Sequence, residues 1–207
     1  MNDFKTTAGH HTDDSKDRLL ISQVISDWVF FRDGGNWQQL RGLFAADGRM
    51  TTNSMSGSAD EFLDYARGLR SKRLLSHHFP GPSSIQVNAD KAVVQTLAML
   101  MTGAPVNGVD VDIWVLLRYL DRFVREDGAW KIQDRHPMYI KDRLDPATPG
   151  TTIQIEQTLL NECPQCCRYL IYMARVNGAP ASAVVPTEFG TPAAEQMISA
   201  AEIWLRT

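Results

Sequence analysis

Residues 109–135 read VDVDIWVLLRYLDRFVREDGAWKIQDR. Two runs rich in β-branched and aromatic residues, 109–125 and 129–135, flank Glu126-Asp127-Gly128. An Asp-Gly pair between such runs is the strongest short-range signal for a β-hairpin. Upstream, 91–102 is rich in Val, Leu and Met, and 84–87 leads into it through the turn Asn88-Ala89-Asp90. Gly103, Pro105, Asn107 and Gly108 mark a loop between 102 and 109. The spacing therefore predicts an antiparallel meander across 84–135.

Helical patterns precede this meander. Leu19, Leu20, Val24, Trp28 and Phe31 recur at three-to-four spacing from Ser15 onward, with Ser15 or Asp17 as the cap and Gly34-Gly35 as the stop. A short helix over 36–44 carries Trp37, Leu40, Leu43 and Phe44. Ala45-Ala46-Asp47-Gly48 reads as a turn and 49–55 as a weak strand. Ser58 and Glu61 form a capping box for a third helix with Phe62, Tyr65, Ala66 and Leu69 on its apolar face. Helices followed by a meander predict an α+β fold: a cone-shaped, curved antiparallel sheet with N-terminal helices enclosing a cavity, plus a helical C-terminal extension. The predicted organisation is a polar lead-in over 1–14, a domain over 15–140, a connector over 141–150 and the extension over 151–207, with helices at 164–176 and 193–205.

Composition narrows the function. The net charge is −3 with no basic stripe, which argues against a nucleic-acid partner. The densest cationic stretch, 67–73, reads as a solvated helix end. No apolar run nears the ~18 residues of a membrane span, and the first residues lack a secretory signal, so a cytoplasmic location is expected. The three cysteines all fall at 163–167, and their C-x-x-C spacing reads as small buried side chains opening a helix rather than a metal or redox site. His10-His11 lies in the lead-in and carries no metal expectation. No cofactor is expected.

Asp33 and His78 stand out chemically. Asp33 ends the first helix, where an acid opposes the macrodipole and so has little structural reason to be there. His77 and His78 are neighbours and face opposite sides of a strand, so at most one faces the cavity, and His78 is the one expected to. An aspartate that holds an imidazole fixes its tautomer and makes a general base or acid near neutral pH. Strict alternation groups Arg135 with Lys131 and Gln133, opposite Trp130 and Ile132, which leaves it inside or outside according to which face is wet. Tyr139, Tyr119 and Trp114 are either cavity aromatics or plain core.

Three segments carry a likeness: Asp33-Gly34-Gly35-Asn36-Trp37, His78-Phe79-Pro80-Gly81, and Arg125-Glu126-Asp127-Gly128-Ala129-Trp130-Lys131-Ile132. Together they make residues 15–140 resemble the SnoaL-like branch of the nuclear transport factor 2-like superfamily, which includes scytalone dehydratase-like and hexachlorocyclohexane dehydrochlorinase-like enzymes. The resemblance implies a deep cavity with Asp33 and His78 meeting at its floor, and a histidine that moves a proton while the aspartate orients it. It also places Arg135 where the dehydrochlorinase has a catalytic arginine, and Trp28 where that enzyme has a lysine. Arg32 stands where scytalone dehydratase has a tyrosine, and 98–102 lacks that enzyme's second histidine. With Asp33 and His78 as catalytic candidates and Arg135, Tyr139, Trp114, Tyr119 and Trp28 as substrate-binding ones, the expected activity is a cofactor-independent lyase acting on a small hydroxylated aromatic or polycyclic molecule. The alternatives are a non-catalytic ligand-binding or association module, or a hydrolase or isomerase using the same dyad. A homodimer or homotrimer is implied by the resemblance alone.

Overall fold

The helix stop at Gly34-Gly35 and the Asp-Gly hairpin are both realised in the computed structural model, which describes residues 14–71 and 76–207. Helices α1 (Ser15–Gly34) and α2 (Trp37–Gly42) lead into strands β1 (Phe44–Thr51) and β2 (Ser56–Ser58), then α3 (Ala59–Ser71). The meander follows as β3 (Ser76–Asn88), β4 (Lys91–Val106), β5 (Val109–Glu126) and β6 (Ala129–Pro146). After it come α4 (Gln157–Asn161), a 3-10 turn at Gln165–Cys167, α5 (Arg168–Val176), the short strand β7 (Thr187–Glu188) and α6 (Pro192–Arg206). The sheet order is β2-β1-β6-β5-β4-β3, with β7 paired to β6. The fold is α+β; the sheet is mixed, because β1 and β7 run parallel to β6. His10-His11, Lys72 and Arg73 lie outside the described residues.

Several boundaries differ from the sequence expectation, each for a local reason. Asn107 and Gly108 have φ of 49° and 83°, as a two-residue primed hairpin turn requires, so the predicted loop over 103–108 is mostly strand. β3 begins at Ser76 rather than near Ser84, and it tolerates Pro80 and Pro82 because it is an edge strand. The predicted turn at Ala45–Gly48 is an irregular part of β1 where its register with β6 shifts. A Cβ at Gly48 would sit 2.9 Å from the Ile132 carbonyl oxygen, so only glycine allows that approach. β6 runs on through Pro146, which makes 141–146 strand, not connector.

Two residues of β6 have no partner on β5. Ile132 pairs Phe123 and Asp134 pairs Arg122, leaving Gln133 as a bulge; Tyr139 pairs Leu117 and Lys141 pairs Leu116, leaving Ile140. Each bulge moves the inward phase by one residue. Trp130 and Ile132 point inward before the first, and Arg135, Pro137 and Tyr139 after it.

The main core lies between the concave face of the sheet and α1 to α3, and α5 packs into it. The fully buried face of α1 is Ile21, Ile25, Trp28 and Arg32; of the predicted stripe Trp28 is buried and Val24 and Phe31 pack partly against the core, whereas Leu19 is 70% exposed. Asp17 does not cap α1. Its carboxylate accepts from Trp130 Nε1 at 3.0 Å and pairs with Arg125 at 2.8 Å, tying the helix to the β5–β6 hairpin. On the convex face, α6 packs Ala194, Ala201 and Leu205 against Val93, Leu120 and Met138. The C-terminal extension thus covers both sides of the sheet. Cys163, Cys166 and Cys167 are free thiols buried in the main core. Among the described residues, no helix is long and apolar enough to cross a membrane.

Candidate active site

The concave face encloses a partly open cavity of about 150 Å³. Alternation along the strands supplies one wall: Ser76 and His78 from β3, Leu100 and Thr102 from β4, Leu117 and Tyr119 from β5, Pro137 and Tyr139 from β6. Trp28 and Arg32, one turn apart on α1, line it as well, with Phe62, Tyr65 and Leu69 of α3. Leu170, Met173 and Ala174 of α5, with Asn177 just beyond it, add to the lining, as do Met50 and Thr51 at the end of β1 and residues 52–54 after it. The wall is mostly apolar, as ligand pockets usually are.

Asp33 and His78 meet here. Asp33 Oδ1 lies 2.8 Å from His78 Nδ1, and Oδ2 accepts from the His78 backbone N–H at 2.7 Å. Both carboxylate oxygens are therefore committed to one residue. A carboxylate only accepts, so Nδ1 carries the hydrogen and Nε2 keeps its lone pair. Trp28 fixes the ring from the side, edge-on at 5.1 Å between centroids. Arg70 donates to the Asp33 carbonyl at 2.7 Å, satisfying one of the carbonyls left open at the end of α1. His77 is exposed on the opposite face of β3.

Burial pushes the His78 imidazole below its ordinary value; Asp33 pulls the other way, while Arg32 and Arg135 add to the lowering. The ring is thus held neutral, as a base must be. Burial also pushes the Tyr119 phenol up to about 12 and raises Tyr139 well above its usual range, so both remain protonated at neutral pH. A consequence for stability follows from the direction of the histidine shift. The unfolded chain binds the His78 proton first as pH falls, so this residue's contribution is present above about pH 6.5 and is lost below it. Thermal unfolding between about pH 7.5 and 5.5 is expected to show a larger loss of Tm for the wild type than for His78→Gln.

The structure corrects two expected substrate contacts. Arg135 faces inward because of the Gln133 bulge, yet it does not line the cavity. It is 1% exposed and bound by both nitrogens Nε and Nη2 to Asp121, itself fully buried, at 2.8 Å each. Its guanidinium lies 4.6 Å from the Trp28 ring and 4.8 Å from that of Tyr119. It supports these two aromatics from behind. Trp114 lies in the opposite phase to Ile113 and Val115 and stacks on Phe79 outside the cavity, at 6.5 Å. Trp28, Tyr119 and Tyr139 do line the cavity. Arg32 was missed as a site residue; its signal was the four-residue spacing from Trp28, hidden because a stripe that ends in arginine does not look apolar. Among the described residues, no three His, Cys, Asp or Glu side chains are grouped to hold a metal ion.

Comparison with known proteins agrees with this architecture. The chain is 24% identical over 159 residues to Pea pathogenicity protein 2 of Fusarium vanettenii, covering 75% of this chain and 68% of the relative. Among solved structures, it resembles a candidate scytalone dehydratase from Novosphingobium aromaticivorans with a TM-score of 0.54 at 18% identity, over 70% of this chain and 100% of the other. It also resembles hexachlorocyclohexane dehydrochlorinase LinA-type3 from Novosphingobium barchaimii, with a TM-score of 0.56 at 18% identity, over 69% of this chain and 98% of the other. At these identities the structural likenesses speak to the fold. The family model for the SnoaL-like domain matches residues 13–136, the stretch that holds α1 to α3, both members of the Asp33–His78 pair and most of the meander, and the chain belongs to that family.

Proposed function

We propose that the protein is a cofactor-independent lyase that dehydrates a small hydroxylated ring compound. The observation that carries this reading is the two-point hold of Asp33 on His78, which leaves Nε2 without a hydrogen-bond partner among the described residues at a mostly apolar cavity. In the proposed step Nε2 takes a proton from a ring carbon. The electron pair of that C–H bond forms the new C=C bond, and the neighbouring C–O bond breaks. The departing hydroxide leaves as water with the proton from His78, which returns to its neutral form. A volume near 150 Å³ matches one aromatic ring, since an apolar cavity of that size in another protein admits benzene. A single ring is thus a better fit than the polycyclic skeleton also considered from sequence.

Asp33→Asn tests the reading. The asparagine oxygen must serve the His78 backbone N–H, which can only donate, and this turns the amide NH₂ toward Nδ1. Nδ1 then becomes an acceptor and the hydrogen moves to Nε2, removing the base. Dehydration of hydroxylated cyclohexenones, followed by ultraviolet absorbance of the aromatic product, is expected to fall by about 10²-fold or more in Asp33→Asn. The affinity for phenol should change little. A wild type that binds phenol but turns over no member of such a panel would instead be a binding module.

A further inference from the structure

We propose that Arg32 and Trp28 form an anion-recognition pair, and that the molecule taken into the cavity carries a carboxylate. This rests on the cavity being a substrate site, and it adds the chemical class of what enters. The two side chains lie one helical turn apart on the buried face of α1 and both line the cavity. Each has an unmet donor. Trp28 is 1% exposed, and its Nε1–H has no hydrogen-bond partner among the described residues.

The Arg32 side chain is 8% exposed, and its one nearby carboxylate oxygen, Asp33 Oδ1, is 3.8 Å away, beyond hydrogen-bond range. That carboxylate is already committed at both oxygens to His78. Arg32 therefore brings a charge to the cavity wall with no hydrogen-bond acceptor among the described residues. Buried charges and donors are normally paired, because leaving them unmet is costly. Arg135, the other buried arginine nearby, shows the contrast: Asp121 accepts from both its Nε and its Nη2, and it does not line the cavity. A carboxylate would supply what Arg32 lacks, a planar acceptor able to take two N–H donors, with the indole N–H as a third. Because Trp28 packs edge-on against His78 at 5.1 Å between centroids, the pair would also orient the ring against Nε2.

The test uses benzoate and benzamide as probes of equal size, with binding measured by calorimetry at neutral pH on the full chain. Wild type is expected to bind benzoate roughly 10–100-fold more tightly than benzamide, the span of one or two charge-assisted hydrogen bonds. Arg32→Met should abolish that preference, and its thermal midpoint should stay level or rise, since the charge removed has no hydrogen-bonded partner. Trp28→Phe keeps a ring in place and should weaken benzoate several-fold. No preference in wild type, or a preference that survives Arg32→Met, overturns the proposal; benzoate affinity unchanged in Trp28→Phe removes Trp28 from it. His78→Ala separates this inference from the lyase reading, because the preference for benzoate should persist there. A protein that turns over neutral rings without preferring benzoate would defeat the anion site alone. One that prefers benzoate but shows no turnover would defeat the lyase alone.

Discussion

Replacing His78 by alanine is expected to lower kcat for the proposed dehydration by about 10²–10⁴-fold, the usual contribution of a positioned general base. KM should change little, because most of the cavity wall is supplied by other residues. The effect is chemical rather than architectural. The His78 backbone N–H still donates to Asp33 Oδ2 in the variant, so the end of α1 remains anchored to β3. Truncation opens a space beside Trp28 in which free imidazole can sit against Asp33 Oδ1. Imidazole added to His78→Ala should restore part of the rate, with a pH dependence that follows the added base. Steady-state kinetics with and without imidazole check this; a loss of activity that imidazole cannot repair, together with a lowered Tm, would mean that His78 is a packing residue.

The largest effect on stability is expected at Asp121. Asp121→Ala leaves the Arg135 guanidinium buried without its carboxylate, and breaking such a pair from one side costs about 3–5 kcal/mol. For a protein of this size that is a fall in Tm of roughly 6–20 °C, measurable by calorimetry. The damage should reach the cavity, since Arg135 supports Trp28 and Tyr119 from behind. The double variant Asp121→Leu with Arg135→Met removes both charges and keeps the volume filled. It should recover most of the lost stability, because a buried ion pair and a well-packed apolar pair are often close in free energy. Recovery would assign the loss to the stranded charge and not to the missing contacts.

The sequence makes the central pair legible and obscures what surrounds it. Asp33 and His78 are found because a helix stop and a family likeness point to them; strict alternation from Ile85 would turn His77 inward, and the irregularity between Pro80 and Ser83 brings in His78 instead. The meander is found because Asp127-Gly128 is an unambiguous turn. Asn107-Gly108 is as strong a turn signal, but Gly103 and Pro105 suggest a longer loop and mask it. The orientation of Arg135 is lost for a different reason: an extra residue at Gln133 leaves no mark in composition, yet it reverses the side each residue faces from there to the second bulge at Ile140. Trp114 is misplaced because an aromatic in an apolar strand fits either face, and only the partner strands decide which is enclosed. Arg32 is overlooked because burial of an arginine contradicts the apolar pattern by which helix faces are recognised. The extent of β6 is hidden by Lys141, Asp142 and Arg143, whose charges look like a linker until β5 is seen to run alongside them.

The position of α5 has an implication for how such a protein can diversify. The groups that would carry the proton come from the first 80 residues, whereas Leu170, Met173, Ala174 and Asn177, which bound the same chamber, come from beyond residue 167. Part of the fit is thus written on a different stretch of the gene from the proposed proton-carrying pair. Exchanging the later segment between relatives would alter one side of the chamber, while Asp33 and His78 are inherited unchanged.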